Sequence, residues 1–226
     1  MKRIIALVFC LFGCLFARAQ NTITTENPYF YDEFKDGTVF FLSGERADAR
    51  FNYHFVLEVM QFLDRQNNNQ ILNLSHKSDF THIQIGNDIF VPLKKQGFAF
   101  VTQDGPVTLL EKKRLVGMEK KRGAYGTPGT SASIDVVGQL ATGVVGSQSV
   151  SLLAPEYDYL VLEKYYLMKN RKVYAATKRN YLRLYPQIRS QLEQYLSVYK
   201  VNFNNGEQLR SLSRYCNDLL MEINKF

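Results

Sequence analysis

The chain has 226 residues, 28 Lys and Arg against 21 Asp and Glu, with 46% hydrophobic and 22% charged side chains. That balance excludes a disordered or collagen-like polymer and predicts one or two compact domains. Only three cysteines occur, two of them at positions 10 and 14, which excludes a disulfide framework and leaves packed sheets and helices to hold the fold.

Lys2 and Arg3 precede an uncharged run from Ile4 to Phe16, followed by Ala17-Arg18-Ala19. The pattern predicts a secretory signal over 1–19 with cleavage after Ala19, because the peptidase accepts small side chains at the two alanine positions. The run is shorter than the roughly 20 residues that cross a bilayer as a helix, so the mature chain is expected to have no transmembrane span. Its expected place is the periplasm or the outer-membrane surface. An alternative is a lipoprotein acylated at Cys14, since Leu11-Phe12-Gly13-Cys14 is similar to a lipoprotein box, although Phe12 and the apolar Leu15 and Phe16 fit it poorly.

Cleavage leaves 25 basic against 21 acidic side chains, a net +4. Residues 20–93 carry ten acids and five bases, whereas residues 164–214 carry eleven bases with only Glu193 and Glu207 as acids. An exported chain with a basic end favours an acidic envelope protein, an anionic membrane surface or a glycan as partner, and no nucleic acid. The simpler reading is a solvated helical surface.

Along the mature chain, 20–36 reads as a polar lead-in. Residues 37–116 read as an antiparallel β domain of short apolar runs separated by turn residues. The runs are Thr38–Leu42, Arg46–Tyr53, Leu57–Leu63, residues 70–74 and 80–85, Ile89–Val91, Gly97–Thr102 and Val107–Leu110. In the second, Ala47, Ala49, Phe51 and Tyr53 alternate with Arg46, Asp48, Arg50 and Asn52, which predicts one face toward water. Asn67-Asn68-Asn69, Gly86-Asn87-Asp88 and Asp104-Gly105 mark hairpins. Pro92 predicts an edge or a strand end. So many short strands predict a meander rolled into a barrel-like or sandwich domain, an α+β fold that is mainly β.

The glycine-, serine- and threonine-rich stretch 117–155 reads as a loop or linker and a suspect interaction element. Residues 156–226 read as a β-hairpin around Lys169-Asn170-Arg171 and a helical tail. Tyr181, Leu184, Tyr185, Ile188, Leu192, Tyr195, Leu196 and Tyr199 make one apolar stripe, with Pro186 opening a new turn. The last helix carries Leu209, Leu212, Cys216, Leu219 and Ile223 on one side, which makes Cys216 a buried hydrophobe.

The combination Tyr31-Asp32-Glu33-Phe34, Gly37-Thr38-Val39, Asn52-Tyr53, Glu58-Val59-Met60-Gln61-Phe62, Ile85–Phe90 and Gly97-Phe98 resembles an uncharacterised family of exported envelope proteins of Bacteroidota. Tyr166, Leu184-Tyr185-Pro186 and the closing leucine-rich helix add to the resemblance. It implies a periplasmic or outer-membrane-associated β-sheet protein with a short helical tail, and it carries no active site.

Enzyme templates find no footing. The sequence holds no G-x-S-x-G, Walker or G-x-G-x-x-G pattern. His54, His76 and His82 lack zinc-site spacing and read as strand-surface residues. Glu26, Asp32, Glu33 and Asp36 lie in a polar stretch where water-exposed acids are expected rather than a glycosidase pair. No catalytic residue, cofactor or metal ligand is therefore assigned. The expected function is a non-enzymatic envelope protein making protein or membrane-surface contacts, with Lys178, Arg179, Arg183 and Arg189 as candidate interaction residues. The alternative is a small-ligand or glycan binder using the sheet interior or the face of Phe51 and Tyr53, and a hydrolase ranks third.

Overall fold

The computed structural model describes residues 28–75, 79–94, 97–119, 121–122, 128–129 and 157–223. The expected signal segment 1–19, Glu26, His76 and nearly all of the 117–155 stretch with its serines lie outside the described residues. The strands are β1 (Lys35–Phe41), β2 (Arg46–His54), β3 (Val59–Asp64), β4 (Gln70–Asn73), β5 (Phe80–Ile85), β6 (Asp88–Leu93), β7 (Gly97–Gln103), β8 (Thr108–Glu119), β9 (Lys121–Arg122), β10 (Pro128–Gly129), β11 (Tyr157–Lys169) and β12 (Lys172–Ala175). The helices are α1 (Lys178–Leu184), a 3-10 turn over Pro186–Ile188, α2 (Arg189–Tyr199) and α3 (Gly206–Ile223).

Ten strands form one antiparallel sheet in the order β12-β11-β8-β7-β6-β5-β1-β2-β3-β4, and β9 pairs with β10 apart from it. The expected fold class holds: mainly antiparallel β with a C-terminal helical segment, in a sheet that curls without closing. After β4 the chain returns to place β5 on the other side of β1, with Val39 opposite both Ala47 and Ile83. The second long return is between β8 and β11, which pair from Tyr157↔Glu119 to Met168↔Thr108. The hairpin of residues 156–226 thus extends the same sheet.

Curling is driven by one apolar face. Val39, Phe51, Tyr53, Met60, Ile83, Ile85, Phe90 and Phe98 are buried together. Tyr53 on β2 lies 6.3 Å from Phe98 on β7 by ring centroids, although β1, β5 and β6 separate their strands. Phe80 stacks on Phe98 at 5.9 Å and Phe30 meets Phe90 edge-on at 5.2 Å. Offset and edge-on contacts of this kind add to the burial of the rings themselves.

One expectation holds and another is corrected. Pro92 is the penultimate residue of β6, at the strand end, opposite Phe98 on β7. It is tolerated because the β5 ladder has ended at Phe90↔Ile83, so no strand on that side asks for its missing N–H. The water-facing side of β2 is exposed only in its first half, since Asn52 and His54 are buried too. The segment before β1 covers them: Tyr31 N donates to Asn52 Oδ1 at 3.0 Å, and Asn52 Nδ2 donates back to Tyr31 O at 2.9 Å.

Where the roll tightens, the turn between β2 and β3 crosses the start of β7. Gly97 has φ +77°, and a Cβ there would run into the backbone carbonyl of Glu58. Gly97→Ala is expected to cost about 2 kcal/mol, from positive φ plus a contact that only the backbone can relieve. A urea midpoint equal to that of the parent would show that this crossing does not close the roll.

The helices cover the same face of the sheet farther along β8 and β11, where Leu109 and Leu167 sit directly opposite one another. Against them pack Tyr181, Leu184, Tyr185, Ile188, Leu192, Leu196, Leu209, Leu212, Cys216 and Leu220. Pro186 opens the 3-10 turn as its first residue. The α3 stripe passes through Leu220, leaving Ile223 exposed at its end. Among the described residues, no helix is long and apolar enough to cross a membrane.

Candidate functional site

The four cations singled out in the sequence separate into two groups. Lys178, Arg179 and Arg183 lie exposed on α1, whereas Arg189 opens α2 and pairs with Glu193 one turn on at 3.0 Å. Arg183 stands in the last turn of α1, where the dipole favours a cation, but Lys178 and Arg179 are not there for the helix. Thr177 caps it, but Lys178 and Arg179 follow in the first turn, where the helix dipole disfavours cations, and no acid accompanies them. Arg179 and Arg183 are also a like-charged i,i+4 pair. Burial of Tyr181 and Leu184 holds α1 instead.

Folding brings this helix beside the β11–β12 hairpin. Asn170 and Arg171 have φ values of 50° and 62°, the mirror-image turn that a two-residue hairpin requires. The Arg183 guanidinium sits 4.5 Å over the Tyr174 ring of β12. Lys169 Nζ donates to Leu184 O at 3.0 Å, and Asn180 Nδ2 donates to Ala175 O at 2.8 Å. Arg171, Lys172, Lys178, Arg179 and Arg183 are therefore exposed along one edge of the sheet. Arg171 and Lys172 were not singled out in the sequence. The signal was present: from Lys164 to Leu192 the chain has eight bases and no acid.

A second charged group is internal. Between the aromatic and helical parts of the covered face, Glu111 is 5% exposed and receives Lys113 at 3.0 Å and Arg210 of α3 at 3.7 Å. Lys113 also reaches Glu163 at 3.3 Å, and the Tyr165 hydroxyl donates to Glu163 at 2.5 Å. Burial works to raise Glu163, but the tyrosine bond and Lys113 outweigh it and hold the carboxyl below its usual range. Burial likewise pulls Lys113 down, and the two carboxylates outweigh it, so its pKa is raised. Both groups stay charged across neutral pH, which suits a fastening of α3 to the sheet rather than proton transfer. Glu111→Gln is expected to cost about 1–2 kcal/mol, less than a fully buried pair, because Lys113 keeps Glu163 and Arg210 can hydrate. Thermal unfolding of the variant checks this.

The remaining candidates fall into structural places. Phe51 and Tyr53, the expected ligand-facing pair, are inside the aromatic core. Glu33 and Asp36 are exposed and pair with Arg50 at 3.7 Å and Arg65 at 3.4 Å. His82 stacks on Phe40, with ring centroids 4.4 Å apart. His54, expected at the surface, is buried with its ring edge-on to Tyr29, and burial lowers its pKa to about 4. Burial pushes the Cys216 thiol up to about 12, leaving it without thiolate character. Among the described residues, no group of three His, Cys, Asp or Glu side chains is placed to hold a metal ion.

Comparison with known proteins places nothing beside this arrangement: no protein-family profile, curated protein or solved structure matches the chain.

Proposed function

We propose that this chain is a non-catalytic exported envelope protein that holds an anionic partner on the basic edge formed by β12 and α1. One observation carries the reading: five exposed cations, Arg171 in the hairpin turn, Lys172 on β12 and three on α1, share an edge whose stretch of chain contains no acid. Helix electrostatics disfavours two of them where they stand, so local stability does not account for their presence. The resemblance to exported envelope proteins and the leader-like N-terminus support the location.

The test compares the mature chain with a variant carrying Lys178→Glu, Arg179→Glu and Arg183→Glu in binding to isolated envelopes. At about 0.01 M salt, where charges act over about 30 Å, the variant is expected to bind roughly tenfold less, and the gap narrows at about 0.15 M. Equal binding at low salt would remove the electrostatic reading.

Glycan binding is a second reading, favoured by the ring cluster in which Tyr195 stacks on Tyr215 at 4.5 Å and meets Tyr199 at a tilt at 4.4 Å, with Tyr199 64% exposed. Tyr199→Ala would then abolish retention on cell-wall glycan.

A further inference from the structure

The basic edge coincides with an open edge of the sheet. β12 ends the strand order, and no described element pairs beyond it. Ala176 N donates to Tyr165 O at 2.9 Å, and in the β11–β12 register this sets Lys172, Tyr174 and Ala176 as the residues whose main chain faces β11. The main-chain groups of Val173 and Ala175 therefore point away from the sheet. Ala175 O is already taken by Thr177 N and Asn180 Nδ2, which leaves the Val173 N–H, the Val173 C=O and the Ala175 N–H along the open edge.

Side chains alternate across this edge. Tyr174 lies on the helix-covered face with Leu167, as does Lys172, and Arg183 reaches over Tyr174 from α1. Val173, 37% exposed, stands on the opposite face. From this we infer that the partner is an extended acidic protein segment that adds to β12 as an antiparallel strand. The inference rests on the proposed function and narrows its anionic partner. An added strand would put alternate residues opposite Val173 and the others opposite Lys172 and Arg183. The fitting pattern is an acid at every second position with a β-branched residue between. Lysines on an edge usually guard against pairing. Here they repel a second copy of the same edge and attract an acidic strand, which makes the edge selective rather than closed.

The probe is a labelled, end-blocked seven-residue peptide of alternating glutamate and valine, titrated against the mature chain and followed by fluorescence anisotropy. Its control carries N-methyl groups on the valines, which keeps every charge but removes the donors that would face β12. The parent peptide is expected to bind, the methylated one at least tenfold more weakly. Lys172→Glu with Arg183→Glu, both exposed, is expected to abolish binding while circular dichroism stays unchanged. Equal binding of the two peptides would overturn strand addition and leave the anionic-edge reading standing. Binding to phosphatidylglycerol vesicles with neither peptide bound would overturn it in favour of a membrane surface. Failure with peptides, vesicles and isolated envelopes together would remove the proposed function as well.

Discussion

Replacing Asn217 by alanine is expected to destabilise the fold by about 3 kcal/mol. Asn217 is buried on α3 and closes the β7–β8 loop against the helices. Its Oδ1 accepts from the Tyr185 hydroxyl at 2.9 Å and from Val107 N at 3.4 Å, and its Nδ2 donates to Val107 O at 3.1 Å and Asp104 O at 3.4 Å. Truncation strands a buried N–H, a carbonyl and a phenol together, and desolvated groups without partners cost more than the bonds were worth. Gly105 leaves no room for an alternative, since a Cβ there would overlap Asn217. Tyr185→Phe should cost about 1 kcal/mol, and the double variant less than the sum, because both changes remove one shared bond. Urea unfolding measures all three. A loss below about 1 kcal/mol for Asn217→Ala would show that water replaces the amide and that the clamp is not dry.

The second large effect is acid instability traced to His54. Leu57 N donates to its Nδ1 at 3.2 Å and Tyr29 packs edge-on against the ring at 4.8 Å, so the folded state holds the imidazole neutral. Burial lowers its pKa from 6.5 to about 4. Between those values the unfolded chain binds a proton that the native chain refuses. The stability from neutral His54 is thus fully present above about pH 6.5 and is lost as pH falls toward 4, by about 3 kcal/mol in all. The depressed carboxyl of Glu163 loses its contribution in a lower window, as pH falls through the acid range below its usual value. Urea midpoints at several pH values between 4 and 7 should fall steeply in the parent and clearly less steeply in His54→Gln, where burial still holds the His82 imidazole below its ordinary range and leaves a residual slope. Parallel slopes would rule out His54 as the source.

Much of the sheet was legible because local signals carried it. The run at residues 80–85 is β5 to the residue, and the Asn-rich turn at 67–69 joins β3 to β4 with Asn68 and Asn69 at positive φ. The apolar run at Val107–Leu110 stops where Glu111, Lys112 and Lys113 follow it in the sequence. Folding extends it to Glu119 by giving each charge a partner: Arg210 for Glu111, Glu58 at 2.7 Å for Lys112, and Glu163 for Lys113. None of those partners is near in sequence. The same applies to the basic edge, where composition marked α1 but the hairpin cations entered only when Tyr174 met Arg183.

By itself, then, the sequence determined the strand class, most hairpins, the apolar stripes of the helices and the acidic-to-basic asymmetry along the chain. These follow from alternation, helical spacing and turn chemistry, which act over a few residues. Only the tertiary structure decided that β5 returns beside β1, that β11 lies on β8, that Asn52, His54 and Asn217 are buried, and that β12 ends the described sheet among cations. Those outcomes depend on which distant segments share a face and exclude water there, and local spacing carries no record of that.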